Sequence, residues 1–241
     1  MMNDLQTLLD PSQNDINEIE EWLEAEYRTT KKGFYTDRDV LAQSFRDKNL
    51  IILKQQGKVV SFIAWKCYTD NTAKISIAET HPDFRRHGLI RLLLDALISN
   101  FQKSGILVID LHSISEESEA AWKHLGFNEF PEDQEDGQSG EKELYKIIIP
   151  VSETGGRAAN ETLELWHMGD HQISNAAPNA TWNLSFIDGS RNLQKPIVYP
   201  AHYDWYMCWK RDGVLKYDGK VKRFPAPIYF GRFMIVGTLP D

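Results

Sequence analysis

One stretch of the chain combines residue types able to hold an anion: Pro82-Asp83-Phe84-Arg85-Arg86-His87-Gly88-Leu89-Ile90-Arg91. It leaves a strand-like run and opens an apolar, helix-like one. The first turn of a helix carries amide N–H groups with no intrahelical acceptor, and their dipoles favour negative charge there. A glycine lets the backbone approach phosphate oxygens closely, and arginines beside the turn add charge-assisted contacts. The combination predicts a phosphate or pyrophosphate site. The alternative is a solvated basic loop that caps a core helix, since one glycine in a basic turn is a weak motif by itself.

Such a turn needs a strand behind it and a helix ahead, and hydrophobic periodicity predicts both. Thr72–Thr80 reads as a strand. Leu89–Phe101 reads as a helix with Leu89, Leu92, Leu93, Ala96 and Leu97 on one face. Upstream, helices are expected over 14–29 and from an N-cap near Thr36 to about Arg46. Strands at Leu50–Lys54 and Val59–Tyr68 flank a Gln-Gln-Gly-Lys turn. Downstream come a strand at Ile106–Leu111, a helix at Glu116–His124 ended by Gly126, a loop at Glu132–Glu143 and a strand at Leu144–Val151. The order ααβββαβαβ implies a right-handed crossover, a parallel strand pair and an α/β architecture.

Beyond Ser152–Asn160 the texture changes. Residues 151–241 hold 13 aromatics, against 14 in the first 150. Asp188-Gly189, Asp212-Gly213 and Asp218-Gly219 read as hairpin turns. Short alternating runs surround them at Thr162–Trp166, Thr181–Ile187, Tyr203–Trp209, Val214–Tyr217, Ile228–Phe230 and Phe233–Val236. Residues 160–241 are therefore expected to form a smaller, mainly antiparallel all-β domain, with Tyr199, Tyr203, Trp205, Tyr206 and Trp209 supplying its core; the alternative is that they form an aromatic binding surface. His167, His171, His202 and Asp204 are not expected to bind a metal. Four-residue spacing shares a face only in a helix, and Gly169 disfavours one there. This domain has two plausible uses: to cover an acceptor groove, or to pair edge strands into a homodimer.

Composition narrows the class. The chain has 241 residues, 41% hydrophobic and 26% charged, which describes a globular protein. The net charge of −8 argues against nucleic-acid binding. Residues 1–150 hold 17 Lys+Arg against 26 Asp+Glu, and the rest 10 against 9. No apolar run approaches the roughly 20 residues of a spanning helix, so no membrane partner is expected. The acidic first residues lack a basic n-region, so no secretory signal is expected either. Cys67 and Cys208 cannot make a disulfide framework. They read as free, half-buried thiols in a reducing, cytoplasmic setting. Asn-x-Ser/Thr triplets at Asn160, Asn179 and Asn183 would matter only in a secreted chain.

The strand, the Pro-x-x-Arg-x-x-Gly turn and the Leu-rich helix resemble the pyrophosphate-binding motif of the GNAT superfamily of N-acetyltransferases. Ala120-Ala121-Trp122-Lys123-His124-Leu125-Gly126-Phe127 resembles that family's later helix, which ends in Leu-Gly-Phe. The similarity covers roughly residues 14–150. It implies a GNAT-like domain over 1–151, with a mixed central sheet flanked by helices. It also implies acetyl-CoA as acetyl donor, no metal, and a small-molecule or protein amine that attacks the thioester directly in a ternary complex. Carried over by position, main-chain amides of Arg85, Arg86, His87, Gly88, Leu89 and Ile90 would cradle the pyrophosphate, with Arg91 beside them. Glu79 and Thr80 would hold the pantetheine arm and acetyl group through main-chain bonds. Ser115 occupies a position where the family often has a pantetheine-contacting asparagine, and Ser118 and Trp122 would lie near the cofactor.

The motif departs from the family twice. Ile90 replaces a small residue, and Trp122 replaces a frequent tyrosine general acid; an indole donates a hydrogen bond but supplies no proton at neutral pH. These departures keep a second reading open, a non-catalytic CoA-binding or protein-interaction module. Direct attack needs a base, since a lysine-like amine is mostly protonated at pH 7. Glu79, His81 and His112 are the candidates: Glu79 ends the strand beside the acetyl site, and His112 ends the next one.

Overall fold

The computed structural model describes residues 4–131, 142–155, 159–169, 173, 176–226, 228 and 231–241. They fall into two compact units, one from Met1–Glu129 with Gln138–Ile148 and one from Phe130–Gly137 with Ile149–Asp241.

In the first unit β1 (Leu5–Leu8) precedes α1 (Gln13–Thr30) and α2 (Arg38–Arg46). Then come β2 (Leu50–Gln55), β3 (Lys58–Cys67) and β4 (Thr72–Thr80). A short 3-10 turn at Pro82–Phe84 leads to α3 (Leu89–Lys103), β5 (Val108–Ser113), α4 (Glu116–His124), β6 (Asn128–Glu129) and β7 (Lys142–Ile147). The seven strands form one sheet in the order β1-β2-β3-β4-β5-β7-β6. Only the β4–β5 pair is parallel. The expected mixed sheet with flanking helices is therefore present.

Ser12 starts α1 through a capping box, in which its side chain accepts from the Asp15 N–H and Asp15 accepts from the Ser12 N–H at 2.8 Å. Helical spacing puts Ile16, Ile19, Trp22 and Leu23 on the buried stripe of α1. They pack with Leu41 of α2 on Leu50, Ile52, Phe62 and Ala64 of the sheet. Leu89, Leu93, Leu94, Leu97 and Phe101 of α3 cover the opposite face, against Ile51, Leu53, Ile63 and Ile75. Leu93 and Leu97 are fully buried. Each such leucine stabilises the unit by about 1.5–3 kcal/mol relative to an exposed one.

Several boundaries differ from expectation. β1 and β6 are additional strands, each held on the sheet by one neighbour. β7 begins at Lys142 rather than Leu144, because Lys142 and Glu143 pair with Ser113 and His112 of β5. Cross-strand pairing there overrides polar composition. The rest of the expected loop, 132–141, lies outside the described residues. β5 starts at Val108, since Ile106 still closes the α3 turn by bonding the Phe101 carbonyl. Cys67 is exposed and Cys208 buried, so neither is half-buried; both are free.

The second unit contains β8 (Glu161–Trp166), β9 (Ala180–Asn183), β10 (Asn192–Pro200), β11 (Tyr206–Arg211), β12 (Val214–Lys220) and β13 (Phe233–Thr238). They make a four-stranded sheet, β12-β11-β8-β9, and a two-stranded one, β10-β13, all antiparallel. Trp182, Trp209, Met207 and Leu163 meet Ile197, Met234 and Val236 in a shared core. Trp205 is buried there too, while Tyr203 is half exposed. Asp188-Gly189 and Asp212-Gly213 are turns, but Asp218-Gly219 runs straight on within β12, where it pairs with Cys208 and Met207. β10 is a strand that the alternation did not reveal. Of the expected run at 228–230, residues 229 and 230 lie outside the described residues, as do Asp170 and His171. His167 stacks on Trp205, with ring centroids 4.0 Å apart. Among the described residues no three His, Cys, Asp or Glu side chains converge as metal ligands.

Candidate active site

The site begins where two strands part. β4 and β5 pair in register from Thr72↔Val108 to Ile75↔Leu111 and no further. β4 continues five residues beyond that point, to Thr80. At the same level a bulge interrupts its pairing with β3: Trp65 faces Ile75, Ala64 faces Ile77, and Ser76 is the extra residue. A bulge shifts side-chain parity by one. Ala73 and Ile75 therefore join the α3-side core, whereas Ile77 joins the α1-side core. Glu79 follows Ile77 and meets Glu26 of α1 through Arg85.

Beyond Thr80 the chain turns tightly. His81 caps the 3-10 turn, its Nδ1 accepting from the Asp83 N–H at 3.3 Å. The imidazole also packs edge-on against Trp22 and Phe84. Arg86 and Gly88 both take the left-handed conformation, with φ of 67° and 73°. Gly88 is the N-cap of α3. A side chain has room at Gly88, since nothing lies within 4 Å of a Cβ placed there; φ is what demands glycine.

The consequence is a run of unpaired donors. Leu92 is the first α3 amide with an acceptor, the Gly88 carbonyl at 3.3 Å, whereas the Arg85 N–H bonds Pro82. Among the described residues, the six N–H groups of residues 86–91 find no acceptor. All of these residues except His87 line a cavity of about 440 Å³, together with Ala78, Glu79 and Thr80 of β4, Phe84 and Arg85 of the turn, and Ala121, His124 and Leu125 around the end of α4. Ile90 lines this cavity and also packs on the core beneath. It thus walls the cavity without filling it. Arg91 lines it too and reaches the His124 carbonyl at 3.4 Å.

The carboxylate at its edge is closely held. Glu79 Oε1 accepts from the Thr80 N–H at 3.0 Å and from Arg85 Nη2 at 3.1 Å. Arg85 Nη2 also donates to Glu26 Oε1 at 2.6 Å, and its Nε donates to the Thr80 carbonyl at 3.1 Å. Burial pushes the Glu79 carboxyl above its ordinary range. The Thr80 N–H and the Arg85 charge oppose that rise, and Glu26 adds to it. Ser61 Oγ donates to the Glu79 carbonyl at 2.9 Å, so the main chain at 79–80 already has internal partners.

The other expected residues are placed as follows. His87 is exposed, its Nδ1 3.1 Å from the Phe84 carbonyl. Leu89 is buried and lines the cavity. Ser115 is the N-cap of α4, its hydroxyl accepting from the Ser118 N–H at 3.2 Å. Trp122 is buried in the core, edge-on to Phe127 at 5.1 Å, and is not part of the cavity lining. His112 Nε2 sits 2.9 Å from Lys74 Nζ and contacts Glu143. Arg85, Arg86, Gly88, Leu89, Ile90, Glu79, Thr80 and Arg91 therefore converge, while His87, His112, Ser115, Ser118 and Trp122 stand apart from the cavity lining.

Sequence reasoning missed Glu26, Ala121, His124 and Leu125. Glu26 did leave a signal: it lies three and four residues beyond Leu23 and Trp22, so it is an acid on the apolar stripe of α1. Ala121, His124 and Leu125 fall within the stretch that resembles the family's later helix, and topology brings them to the cavity.

Comparison with known proteins agrees with this geometry. The family described as "Acetyltransferase (GNAT) domain" matches residues 11–139. The [ribosomal protein bS18]-alanine N-acetyltransferase of Escherichia coli (strain K12) is 34% identical over 79 residues, covering 32% of this chain and 53% of the relative. The chain thus spans about half the length of the curated relatives it matches. A solved GNAT acetyltransferase from Staphylococcus aureus Mu50 superposes with a TM-score of 0.50 at 12% identity, covering 61% of this chain and 100% of that one. The PaiA N-acetyltransferase of Thermoplasma acidophilum, solved in complex with coenzyme A, does so at 0.48 and 15%, covering 60% and 99%. On the family match and the arrangement of its site, the chain belongs to the GNAT acetyltransferase family.

Proposed function

We propose that this chain transfers an acetyl group from acetyl-CoA to a primary amine, with Glu79 as the base. The observation that carries the reading is the run of six unpaired N–H groups at the head of α3, beside a cavity also lined by Glu79, a half-buried carboxylate of raised proton affinity. The donor set fits a diphosphate: dipole-aligned amides, the left-handed Arg86 and Gly88, and open space in front of Gly88. Residues 86–91 would hold the diphosphate. The parted ends of β4 and β5 would leave room for the thioester arm. Acetyl-CoA supplies the acetyl group as an activated thioester.

The chain's own groups do the rest. Glu79, ionised, takes the proton that the amine nitrogen sheds as its bond to the acyl carbon forms, while the thioester C–S bond breaks and coenzyme A would leave as a thiolate that takes its proton from water. His81 is a poorer base because its Nδ1 caps a turn. His112 is poorer because its Nε2 lies between Lys74 and Glu143. The curated relative's name makes a protein α-amine the first acceptor to try. An α-amine, with a pKa near 8, is also partly neutral at pH 7 and so easier to deprotonate than a lysine.

The test is thiol release from acetyl-CoA over a panel of amines that includes peptide N-termini. Glu79→Gln is expected to lower turnover roughly 10²-fold with little change in acetyl-CoA affinity. Unchanged turnover would remove Glu79 from the role. Tight acetyl-CoA binding without thiol release for any amine would favour the CoA-binding module instead. The already partnered Thr80 N–H is the feature that favours that second reading.

A further inference from the structure

Arg85 stands at the head of the phosphate turn and lines the cavity, yet its guanidinium is engaged by acceptors of the protein itself. Nε is on the Thr80 carbonyl, and Nη2 is shared between Glu26 Oε1 at 2.6 Å and Glu79 Oε1 at 3.1 Å. Glu26 is 8% exposed, and its second oxygen is buried without any hydrogen-bond partner. That oxygen lies close under Gly33, where a Cβ would stand 3.4 Å from it. Among the described residues, Glu26 thus depends on Arg85 alone for its counter-charge. Pulling Arg85 toward a phosphate would strand a bare carboxylate in the core, a costly state. Arg85 is therefore locked in place, and one cation serves two carboxylates.

We infer that Glu26 is a positioning residue for Glu79: it takes the shorter bond of the shared guanidinium and so limits how much positive charge reaches the Glu79 carboxyl. The inference rests on Glu79 being the base. A carboxylate fully paired with arginine is a weak base. Glu26 prevents that full pairing and adds its own repulsion, which keeps the Glu79 proton affinity high enough for work on an amine. The groups facing Glu79 are few. Arg85 comes from the turn and Glu26 from α1. His81 lies two residues on, with its ring against Trp22 of α1 and Phe84. Opposite on β3 stands the uncharged Phe62. Beyond Leu111, β5 has no residue in register with this part of β4.

The experiment is a carbon-13 NMR titration of the Glu79 carboxyl in the full chain, assigned by its loss in Glu79→Gln, together with pH–rate profiles and acetyl-CoA affinity. In Glu26→Gln the guanidinium turns wholly to Glu79. The Glu79 titration should then move down by about one pH unit, a tenfold loss of proton affinity. The acidic limb of kcat/KM should follow it, with acetyl-CoA affinity unchanged. Should the Gln variant not fold, Glu26→Ala carries the same expectation. An unmoved or raised Glu79 titration overturns the inference. So does a parallel loss of acetyl-CoA affinity, which would make the Glu26–Arg85 pair part of the phosphate site. If the titration shifts as stated but the wild-type chain releases no thiol, acetyl transfer and the role in it fail, while the coupling of Glu26 to Glu79 through Arg85 stands. If thiol is released and the titration does not move, only the positioning role fails.

Discussion

A carboxylate bonded to a guanidinium ordinarily ionises more readily than a free one. Glu79 goes the other way because its burial outweighs what the Thr80 N–H and a shared Arg85 can offset. The sign for activity follows. A base works when ionised, so the rate should fall as pH drops through the raised Glu79 value, above the roughly 4.3 of a free glutamate. A pH–rate profile of thiol release checks this, and a profile flat down to pH 4.5 would contradict it. At this scale the sequence was informative about Glu79 and the turn, because residue type, strand end and glycine coincide there. It was silent about Arg85's true partner. Glu26 lies 59 positions away along the chain, and only the packing of α1 on the sheet brings the two together. Trp122 and Ser115 occupy positions that resemble the family's cofactor contacts; in the structure Trp122 fills the core and Ser115 caps a helix.

Among the elements, strong periodicity was easily read, and α1, α3, β3 and β4 lie close to where apolar spacing places them. The bulge at Ser76 was not legible, although it aims Glu79 at the α1 side. Nothing in Lys-Ile-Ser-Ile-Ala marks an extra residue, which exists only relative to β3. β1 and β6 escaped for a related reason: they are short and depend on a partner strand. In the second unit, β8 opens on Glu161, whose buried carboxylate takes two bonds from Arg191 at 2.7 and 2.8 Å, one from Arg211 at 2.9 Å and one from Trp209 Nε1 at 3.1 Å. Burial works against its charge, but the Arg191 pair and the Trp209 and Arg211 bonds outweigh it and leave its pKa below the ordinary value. A depressed carboxylate contributes stability above its unfolded pKa and loses it as pH falls through the folded one. Glu161→Gln removes the buried carboxylate charge that Arg191 and Arg211 share, so it should cost about 3–5 kcal/mol near pH 7. The difference from wild type should shrink below about pH 4. Urea melts at both pH values measure it, and a pH-independent difference would contradict the account.

On the scale of the whole molecule, every cavity residue lies between Ala78 and Leu125, within the first compact unit. No helix among the described residues is long and apolar enough to cross a membrane. A chain ending after Ile148 should therefore keep acetyl-CoA affinity within about threefold of the full chain. Loss of acceptor turnover in that truncation would assign the β unit to the acceptor; a change in oligomeric state alone would assign it to assembly. The central claim is that the unpaired amides of residues 86–91 grip a diphosphate. Calorimetry comparing coenzyme A with pantetheine, which lacks the diphosphate, tests it most directly. Coenzyme A should bind at least about 100-fold more tightly. Most of that margin should vanish in Gly88→Val, whose branched side chain resists a φ of 73°. Equal binding of the two ligands, or an unaltered coenzyme A affinity in Gly88→Val, would contradict the claim.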